Sequence, residues 1–340
     1  MGRAGGRPPA AGPPTRTRSG TRTRQQPPPD RPRARPQERP VTRPNFLYLG
    51  PDKAGSSWLH DVLIRHPQVF MPEAKDLYFF DRYYDRGLGW YLGQFRAAGP
   101  QHRVVGEVCQ DYLAAPEAPG RIHASLGDDV RFMATLRDPA ERAWSSYLYM
   151  LKHGEEPGTF LEALEGRPEL LEHGRYGTQL QRYAERFGLE RVHVAVFDDL
   201  GADPQAFVDP LLAWLGLDRM VLGEDLLAVR LPAGRARSLP VARAARWAAA
   251  RVRELDGANL VGRVKRSPLV QRALYAPLAD GKPVMSDEER AAVHDALAGE
   301  VALVDELTGL GLRGRWGWPA AAPAAAGPGA APSARTPRTA

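Results

Sequence analysis

Short apolar runs bounded by turn-forming residues predict three buried β-strands. The first occupies residues 45–49, between Pro44 and Gly50, and the others occupy 130–136 and 192–197. A short run without alternating polar residues is typical of a strand that is covered on both faces. The hydrophobic pattern therefore predicts a sheet buried between other layers.

Helical periodicity follows these strands. The apolar residues of 58–63 share one helical face, and Pro67 ends that helix. Pro139 suits the first turn of a second helix, and Ser286 with Glu289 forms a capping-box pattern. The remaining helices are predicted at 204–216, 241–254 and 287–308. Strands that alternate with helices predict an α/β fold of three layers, with a central parallel sheet flanked by helices.

The two ends of the chain differ in composition from the rest. Residues 1–44 contain eleven Arg, eleven Pro, no Lys and two acids, a net charge of +9, and they show no apolar periodicity. We expect this segment to be disordered, either as a solvated extension or as an anchor for acidic surfaces. Residues 319–340 are rich in Ala and Pro and are expected to form a second disordered tail. An ordered domain is thus predicted at 45–318, with a net charge of −5.

Charge and cysteine content restrict the function. Because the basic charge lies in the tails, a specific nucleic-acid-binding fold is disfavoured. Cys109 is the single cysteine, which excludes an internal disulfide, and the eight His show no metal-ligand pattern. The sequence has neither an 18-residue apolar stretch nor a secretory signal pattern. We therefore expect a cytoplasmic protein without a transmembrane segment or a bound metal.

A glycine-containing loop follows the first predicted strand and reads Gly-Pro-Asp-Lys-Ala-Gly-Ser-Ser from Gly50 onward. A strand, a glycine loop and a helix together hold phosphates on backbone N–H groups. Compared with the ATP-binding pattern G-x-x-x-x-G-K-[ST], the two glycines match, but Ser56 replaces the lysine and the loop's only lysine is Lys53. The loop predicts a P-loop-like phosphate site and disfavours ordinary NTP hydrolysis. The alternative is a tight turn before a helix.

A second phosphate-binding candidate leaves the second long strand. Arg137 is predicted at the carboxyl end of that strand, where α/β folds bind ligands. Its guanidinium group can pair with a phosphate through two hydrogen bonds. Ser145 lies two turns into the next helix. The alternative is a surface arginine followed by ordinary polar residues.

These segments, together with 75–80 and 197–204, resemble the sulfotransferases that use 3'-phosphoadenosine-5'-phosphosulfate (PAPS). The resemblance is to bacterial members similar to the heparan sulfate sulfotransferases, and it extends over about residues 45–311. It implies that the glycine loop binds the 5'-phosphosulfate and that Arg137 and Ser145 bind the 3'-phosphate. The donor contacts that it implies in the loop are Lys53, Ala54, Gly55, Ser56, Ser57 and Trp58.

The resemblance also implies the reaction, which transfers a sulfuryl group from PAPS to a hydroxyl or amine of a glycan, lipid or small-molecule acceptor. Lys53 is expected to stabilise the leaving phosphate without a metal. Glu107, after a predicted short strand at 104–105, stands where the family has a glutamate and is the expected base. The alternative is a structural carboxylate, and Asp111, His66 and His102 are weaker candidate bases. Residues 108–110 depart from the family's usual Lys-Ser/Thr-Pro or Ser-Pro.

Further contacts follow from the same resemblance. Lys75, Phe80, Asp111 and Tyr176 are expected to line the acceptor site, although Phe80 and Tyr176 also suit a core. The family's basic segment that closes over the nucleotide has its nearest counterpart at 235–238, where Arg237 is expected to contact the donor.

Three other functions remain open. Asp198 and Asp199 follow an apolar strand and resemble the Walker B acid of a P-loop kinase or NTPase, although sulfotransferases have a similar acidic pattern. An anionic-surface binder acting through the Arg-rich tail would show a steep salt dependence. An inactive sulfotransferase fold is disfavoured because the chain retains Lys53, Glu107, Arg137 and Ser145.

Overall fold

The computed structural model describes residues 42–228 and 283–319, and a few short pieces of backbone between them. Its centre is a five-stranded, entirely parallel sheet in the order β2-β3-β1-β4-β5. The strands are β1 Phe46–Gly50, β2 Val69–Phe70, β3 Val104–Val108, β4 Arg131–Leu136 and β5 Val192–Val196.

Helices fill the connections between the strands. Up to β4 they are α1 Ser56–Leu63, α2 Leu88–Gly93 and α3 Ala118–Leu126. Between β4 and β5 they are α4 Pro139–Lys152, α5 Phe160–Gly166, α6 Glu169–Glu172 and α7 Tyr176–Phe187. After β5 they are α8 Phe197–Ala202, α9 Pro204–Trp214, α10 Glu224–Leu227, α11 Asp287–Thr308 and α12 Leu312–Arg315. Single 3₁₀ turns occur at Tyr84–Arg86 and Leu189–Arg191.

The alternation of side chains along β1 divides the apolar residues between the two faces of the sheet. Leu47 and Leu49 join a core formed with α3, α4, α7 and α11, whereas Phe46 and Tyr48 join a core formed with α1 and α9. Burial on both faces explains the uninterrupted apolar runs in the sequence. The three-layer α/β fold with a central parallel sheet is confirmed.

Local signals located most elements correctly. Pro139 occupies the first turn of α4, with Asp138 as its N-cap, and Ser286 and Glu289 form both hydrogen bonds of a capping box on α11. The short strand predicted at 104–105 is longer in the structure and continues to residue 108, so Glu107 lies within β3.

Several predicted segments lie largely or wholly outside the described residues. The predicted disordered tails, 1–44 and 319–340, are outside them except for residues 42–44 and Pro319, and most of the predicted helix at 241–254 is outside them too. Gly234–Ala236 and Tyr275–Pro277 form a two-stranded antiparallel pair, β6 and β7. Among the helices that the structure describes, none combines the length and apolarity that crossing a bilayer requires.

The topology sets the place of the functional site. From β1 the chain builds β2 and β3 on one side of the sheet and then crosses to build β4 and β5 on the other. The carboxyl ends of β1 and β4 therefore flank the point where the strand order reverses, which is the crevice that ligands use in open α/β sheets. The glycine loop leaves β1 at this edge, and Arg137 leaves β4 beside it.

Candidate active site

Two glycines shape the loop between β1 and α1. Gly50 has φ 125°, and a Cβ there would lie 2.3 Å from the carbonyl oxygen of Gln110. Gly55, the N-cap of α1, has φ 85°, and its missing Cβ would lie 2.8 Å from Leu200 Cδ2. Because Gly55 has no side chain to cap the helix, the first N–H groups of α1 keep the polarity that attracts an anion.

Lys53 lies in the middle of this loop with a backbone φ of 61°. Its ammonium nitrogen is 4.1 Å from the ring centroid of Tyr149 on α4. Burial lowers the pKa of Lys53 to about 8, the Asp52 carboxylate opposes that shift, and the nearby cations of Lys152 and Arg137 add to it. At neutral pH Lys53 is therefore a partly desolvated cation, which an incoming anion would hold in its charged form.

Arg137 connects the two motifs that the sequence predicts to bind phosphate. Its Nη1 donates a hydrogen bond of 3.0 Å to the backbone carbonyl of Lys53. Its guanidinium group also lies 5.0 Å from the ring centroid of Phe197 and 3.6 Å from Glu141 Oε2. Burial lowers the pKa of Arg137, but an arginine stays charged at physiological pH. The Arg137 charge is thus fixed beside the glycine loop.

The loop hydroxyls differ in exposure. Ser56 is buried at the start of α1, whereas Ser57 is exposed, and Ala54 is buried. Ser145, two turns along the chain from Arg137, is half-buried on α4. Within the described part of the chain its hydroxyl makes no hydrogen bond, which leaves it able to donate to a ligand.

A buried ion pair below the loop was not predicted. Asp52 Oδ1 accepts from Arg142 Nη1 of α4 at 3.0 Å, and the Arg142 side chain is fully buried. The sequence held one signal for it: a charged residue on the apolar face of α4, four residues from Asp138. A pairing across 90 residues cannot be inferred from such a local pattern.

Glu107 is the most deeply placed of the predicted site residues. It is fully buried in β3, and its Oε1 accepts hydrogen bonds from the hydroxyls of Tyr91, at 2.8 Å, and Tyr112, at 2.9 Å. Within the described residues its Oε2 has no partner. Burial raises the pKa of Glu107 to about 8, although both tyrosine hydroxyls favour the ionised form. This is the perturbation that a general base near neutral pH requires.

Lys75 and Asp111 lie in a polar cluster beside the strand end. Lys75 Nζ contacts Asp76 Oδ2 at 2.7 Å and Gln110 Oε1 at 3.2 Å. Asp111 pairs with Arg82, and burial raises the pKa of Asp111 to about 6. Both residues that were predicted to contact the acceptor substrate are therefore charged groups that already have partners within the protein.

Three predicted ligand contacts prove to be core side chains. Phe80 and Tyr176 are 0% exposed and Trp58 is 3% exposed. The Trp58 indole donates to the carbonyl of Leu226 at 2.9 Å, and Phe80 packs edge-on against Tyr112. All three side chains are thus packed in the core, which is the alternative stated above for Phe80 and Tyr176, and their contacts with a donor or acceptor stay predictions. Arg237 lies outside the described residues.

The acidic pair after β5 is tied to the C-terminal part of the domain. Asp199 pairs with Arg315 at 2.5 Å, and Asp198 accepts from the Trp316 indole at 2.9 Å. A Walker B acid must instead be open to a metal-bound phosphate. In the described ranges, no group of three or more His, Cys, Asp or Glu is arranged to hold a metal ion.

Comparisons with known proteins agree with this geometry. A family model described as a sulfotransferase domain matches residues 43–226. The chain is 32% identical over 189 residues to heparan sulfate glucosamine 3-O-sulfotransferase 6 of Mus musculus, over 52% of this chain and 54% of that protein. It is 30% identical over 119 residues to the membrane-associated sulfotransferase kil1 of Dictyostelium discoideum, over 34% of this chain and 25% of that protein.

A solved sulfotransferase from Alicyclobacillus acidocaldarius is 25% identical, with a TM-score of 0.49, over 68% of this chain and 100% of that one. The chain spans about half, or less, of the length of the curated relatives named above. The family model, however, covers more than half of the 340 residues, including the glycine loop, Glu107, Arg137 and the acidic pair. The chain therefore belongs to the sulfotransferase domain family.

Proposed function

We propose that the protein transfers a sulfuryl group from PAPS to a hydroxyl or amine of an acceptor. The observation that carries this proposal is the 3.0 Å hydrogen bond from Arg137 to the carbonyl of Lys53. This contact brings two separate anion-binding motifs together at one edge of the sheet. PAPS carries phosphates at both the 5' and 3' positions, and it therefore needs two such sites side by side.

The charges around the loop fit an anionic donor. Lys53 and Arg137 provide two cations, and the first turn of α1 provides backbone N–H groups. The neighbouring acids have partners of their own: Asp52 has Arg142, and Asp138 accepts from the backbone N–H of Ala140. The site thus presents donors and positive charge to a phosphate rather than free carboxylates.

Lys53 and the N-terminus of α1 would stabilise the charge that develops on the leaving phosphate. When bound, PAPS supplies the sulfuryl group, and adenosine 3',5'-bisphosphate leaves. Sulfuryl transfer, like phosphoryl transfer, depends mainly on positioning and charge stabilisation. Removing one preorganised donor of this kind costs about 10²- to 10³-fold in rate, which is the loss we expect for Lys53→Ala.

Glu107 is the proposed base that takes the acceptor's proton. Its unpartnered Oε2 is an available acceptor atom, and its raised pKa matches proton transfer near pH 8. Because Glu107 is 0% exposed, an acceptor reaches it only when the surrounding aromatic side chains move aside. Tyr91 and Tyr112, which hold Oε1, are the groups that such a movement involves.

The proposed acceptor is a glycan, a lipid headgroup or a small metabolite. Lys75 and Asp111 would contact it, since both are polar groups close to the end of β3. The name of one relative, a heparan sulfate glucosamine 3-O-sulfotransferase, supports the glycan among these classes. A screen with radiolabelled PAPS against all three classes tests this part separately from donor binding.

Calorimetric titration with adenosine 3',5'-bisphosphate and with ATP plus Mg²⁺ tests the donor site. Wild type is expected to bind the bisphosphate at micromolar concentration without metal. Arg137→Ala should weaken that binding and abolish the preference over adenosine 5'-monophosphate, because the 3'-phosphate loses its bidentate partner. The proposal would be overturned in favour of a kinase or NTPase if wild type bound adenosine 3',5'-bisphosphate no better than adenosine 5'-monophosphate, or if it bound only ATP with Mg²⁺.

A further inference from the structure

The carboxylate of Asp52 joins the glycine loop to two other elements. Its Oδ1 accepts from Arg142 Nη1 at 3.0 Å and contacts His173 Nδ1 at 3.2 Å, and its Oδ2 accepts from Ser146 Oγ at 3.1 Å. Arg142 and Ser146 belong to α4, and His173 directly follows α6. Arg142 also donates to the carbonyl of Leu170 in α6. One side chain of the loop is therefore held by three partners from outside it.

Burial makes these contacts strong. The Arg142 side chain is 0% exposed and that of Asp52 is 11% exposed. Burial alone would raise the pKa of Asp52, but Arg142 and His173 outweigh it and hold this pKa well below the usual range. Asp52 is thus a permanent anion, and its negative charge lies one residue before the loop's cation.

The two-residue segment of Asp52 and Lys53 is held at both of its ends. Arg142 binds the side chain of Asp52, and Arg137 binds the carbonyl of Lys53, both from α4 or its N-terminal approach. Lys53 itself has φ 61°, a conformation that non-glycine residues rarely adopt without support. The Asp52 contacts supply part of that support.

We propose that Asp52 is a positioning residue of the donor site: its ion pair with Arg142 and its hydrogen bond from Ser146 set the place of Lys53, and of a buried anion next to it in the chain, relative to α4. This inference rests on the proposed function only for the identity of the ligand. The electrostatic part concerns the free protein. Three nearby cations, Lys152, Arg137 and Lys75, lower the pKa of Lys53 because they repel its positive charge. The Asp52 carboxylate has the opposite effect and favours the protonated form of Lys53.

The charge on Lys53 can be measured without any acceptor. Competitive acylation with limiting acetic anhydride across a pH series, read by peptide mass spectrometry, gives the titration of each of the five lysines in the sequence. In wild type, Lys53 should reach half-maximal reactivity near pH 8. In Asp52→Asn this midpoint should fall by about one pH unit or more, while Lys265 and Lys282 serve as the internal references. The matched control is Asp203→Asn, which alters an N-cap acid of α9 that does not contact the loop.

Two milder variants separate the effect of Asp52 on the position of Lys53 from the effect of its negative charge. Asp52→Glu keeps the anion but displaces it by one methylene, and Ser146→Ala removes one hydrogen bond and leaves the charge. Both should keep the Lys53 midpoint near that of wild type. Asp52→Glu should weaken binding of adenosine 3',5'-bisphosphate about tenfold, the lower end of the range for a hydrogen bond to a charged group, and Ser146→Ala should weaken it severalfold. Circular dichroism establishes which variants are folded, and Ser146→Ala tests the proposal should Asp52→Asn not fold.

The outcomes are distinguishable. Unchanged nucleotide affinity in Asp52→Glu and Ser146→Ala, together with an unchanged Lys53 midpoint in folded Asp52→Asn, would reduce Asp52 to a stabilising residue and overturn the inference. If wild type itself binds no bisphosphate, the proposed function fails, and the acylation midpoint still decides whether Asp52 controls the charge of Lys53.

Discussion

Arg290 of α11 pairs with Glu141 of α4 at 2.7 Å, and the other oxygen of the same carboxylate lies 3.6 Å from Arg137. The carboxylate is therefore shared between a guanidinium group proposed to bind the 3'-phosphate and one contributed by a helix about 150 residues later. By holding Glu141, Arg290 limits its competition with a phosphate for Arg137.

Removal of Arg290 should accordingly weaken donor binding from a distance. Arg290→Ala is expected to lower the affinity for adenosine 3',5'-bisphosphate about two- to fivefold, the range for a partly exposed ion pair. Calorimetry measures this loss. The double variant Arg290→Ala with Glu141→Gln should recover the affinity, because the competing charge is gone. A double variant as weak as the single one would assign the effect to the packing of α11 instead.

Activity should have a narrow pH optimum. The proposed chemistry needs Glu107 ionised and Lys53 protonated, and both groups have a pKa of about 8, Glu107 raised by burial and Lys53 lowered by burial. Activity should rise as Glu107 loses its proton and fall as Lys53 loses its own. The profile of kcat against pH with the first active acceptor checks this. Lys53→Arg should move the descending limb to higher pH, and a broad plateau from pH 6 to 10 would contradict these two roles.

Stability should also depend on Glu107. The folded protein holds a proton on Glu107 up to pH about 8, whereas the unfolded chain releases it near its ordinary pKa of 4.5. Because the folded state binds more protons between these values, the contribution of Glu107 to the free energy of unfolding decreases as pH rises through this window and is constant above it. Urea unfolding at pH 5, 6, 7 and 8 measures the slope. Glu107→Gln should flatten it, and an unchanged slope would show that other groups dominate.

The glycine at the helix start should resist substitution. Gly55→Ala places a Cβ 2.8 Å from Leu200 Cδ2 at a φ of 85°, so we expect a loss of about 1–3 kcal/mol in the free energy of unfolding. The matched control is Gly120→Ala in α3, where the added Cβ meets no atom within 4 Å and a helical alanine is favoured. Chemical denaturation of both variants checks this. Equal changes in the free energy of unfolding for the two variants would mean that the loop rearranges to accommodate the added Cβ at position 55.

Features encoded by neighbouring residues were predicted well from the sequence. Phe46–Gly50 and Arg131–Leu136 are strands because their apolar runs are covered on both faces, and Ser286 caps α11 through a contact three residues away. The loop that contains Gly55 and the turn that contains Arg137 were also predictable from neighbouring residues, because in each case a strand, a turn and a helix follow one another directly in the sequence. The resemblance of these motifs to a family agrees with the family match.

Features that depend on tertiary contacts were either missed or left with two alternatives. The Asp52–Arg142 pair joins residues 90 positions apart, and neither residue has a local signature for the other. The burial of Phe80 and Tyr176 depends on how the acceptor-side segment folds onto the sheet, and an aromatic side chain has the same pattern in a core as in a cleft. Glu107 was predicted just after a short strand at 104–105, but β3 continues through it. A charged residue is seldom fully buried, and its tyrosine partners make this exception possible.

The position of Glu107 inside β3 also determines whether the protein tolerates single-codon insertions and deletions near this strand. Register pairs Glu107 with Leu47 of β1, and successive side chains of a strand point to opposite faces of the sheet. If a codon were inserted or deleted just before Val104 and β3 slipped by one residue along β1, Gly106 or Val108 would replace the carboxylate. Val105 or Glu107 would then take the place of Gly106, where a Cβ would lie 2.1 Å from the backbone carbonyl oxygen of Phe46. A scan of single-codon indels across this junction should thus yield proteins that are inactive and largely unfolded, whereas point substitutions in the preceding loop should leave folding and activity largely unaffected.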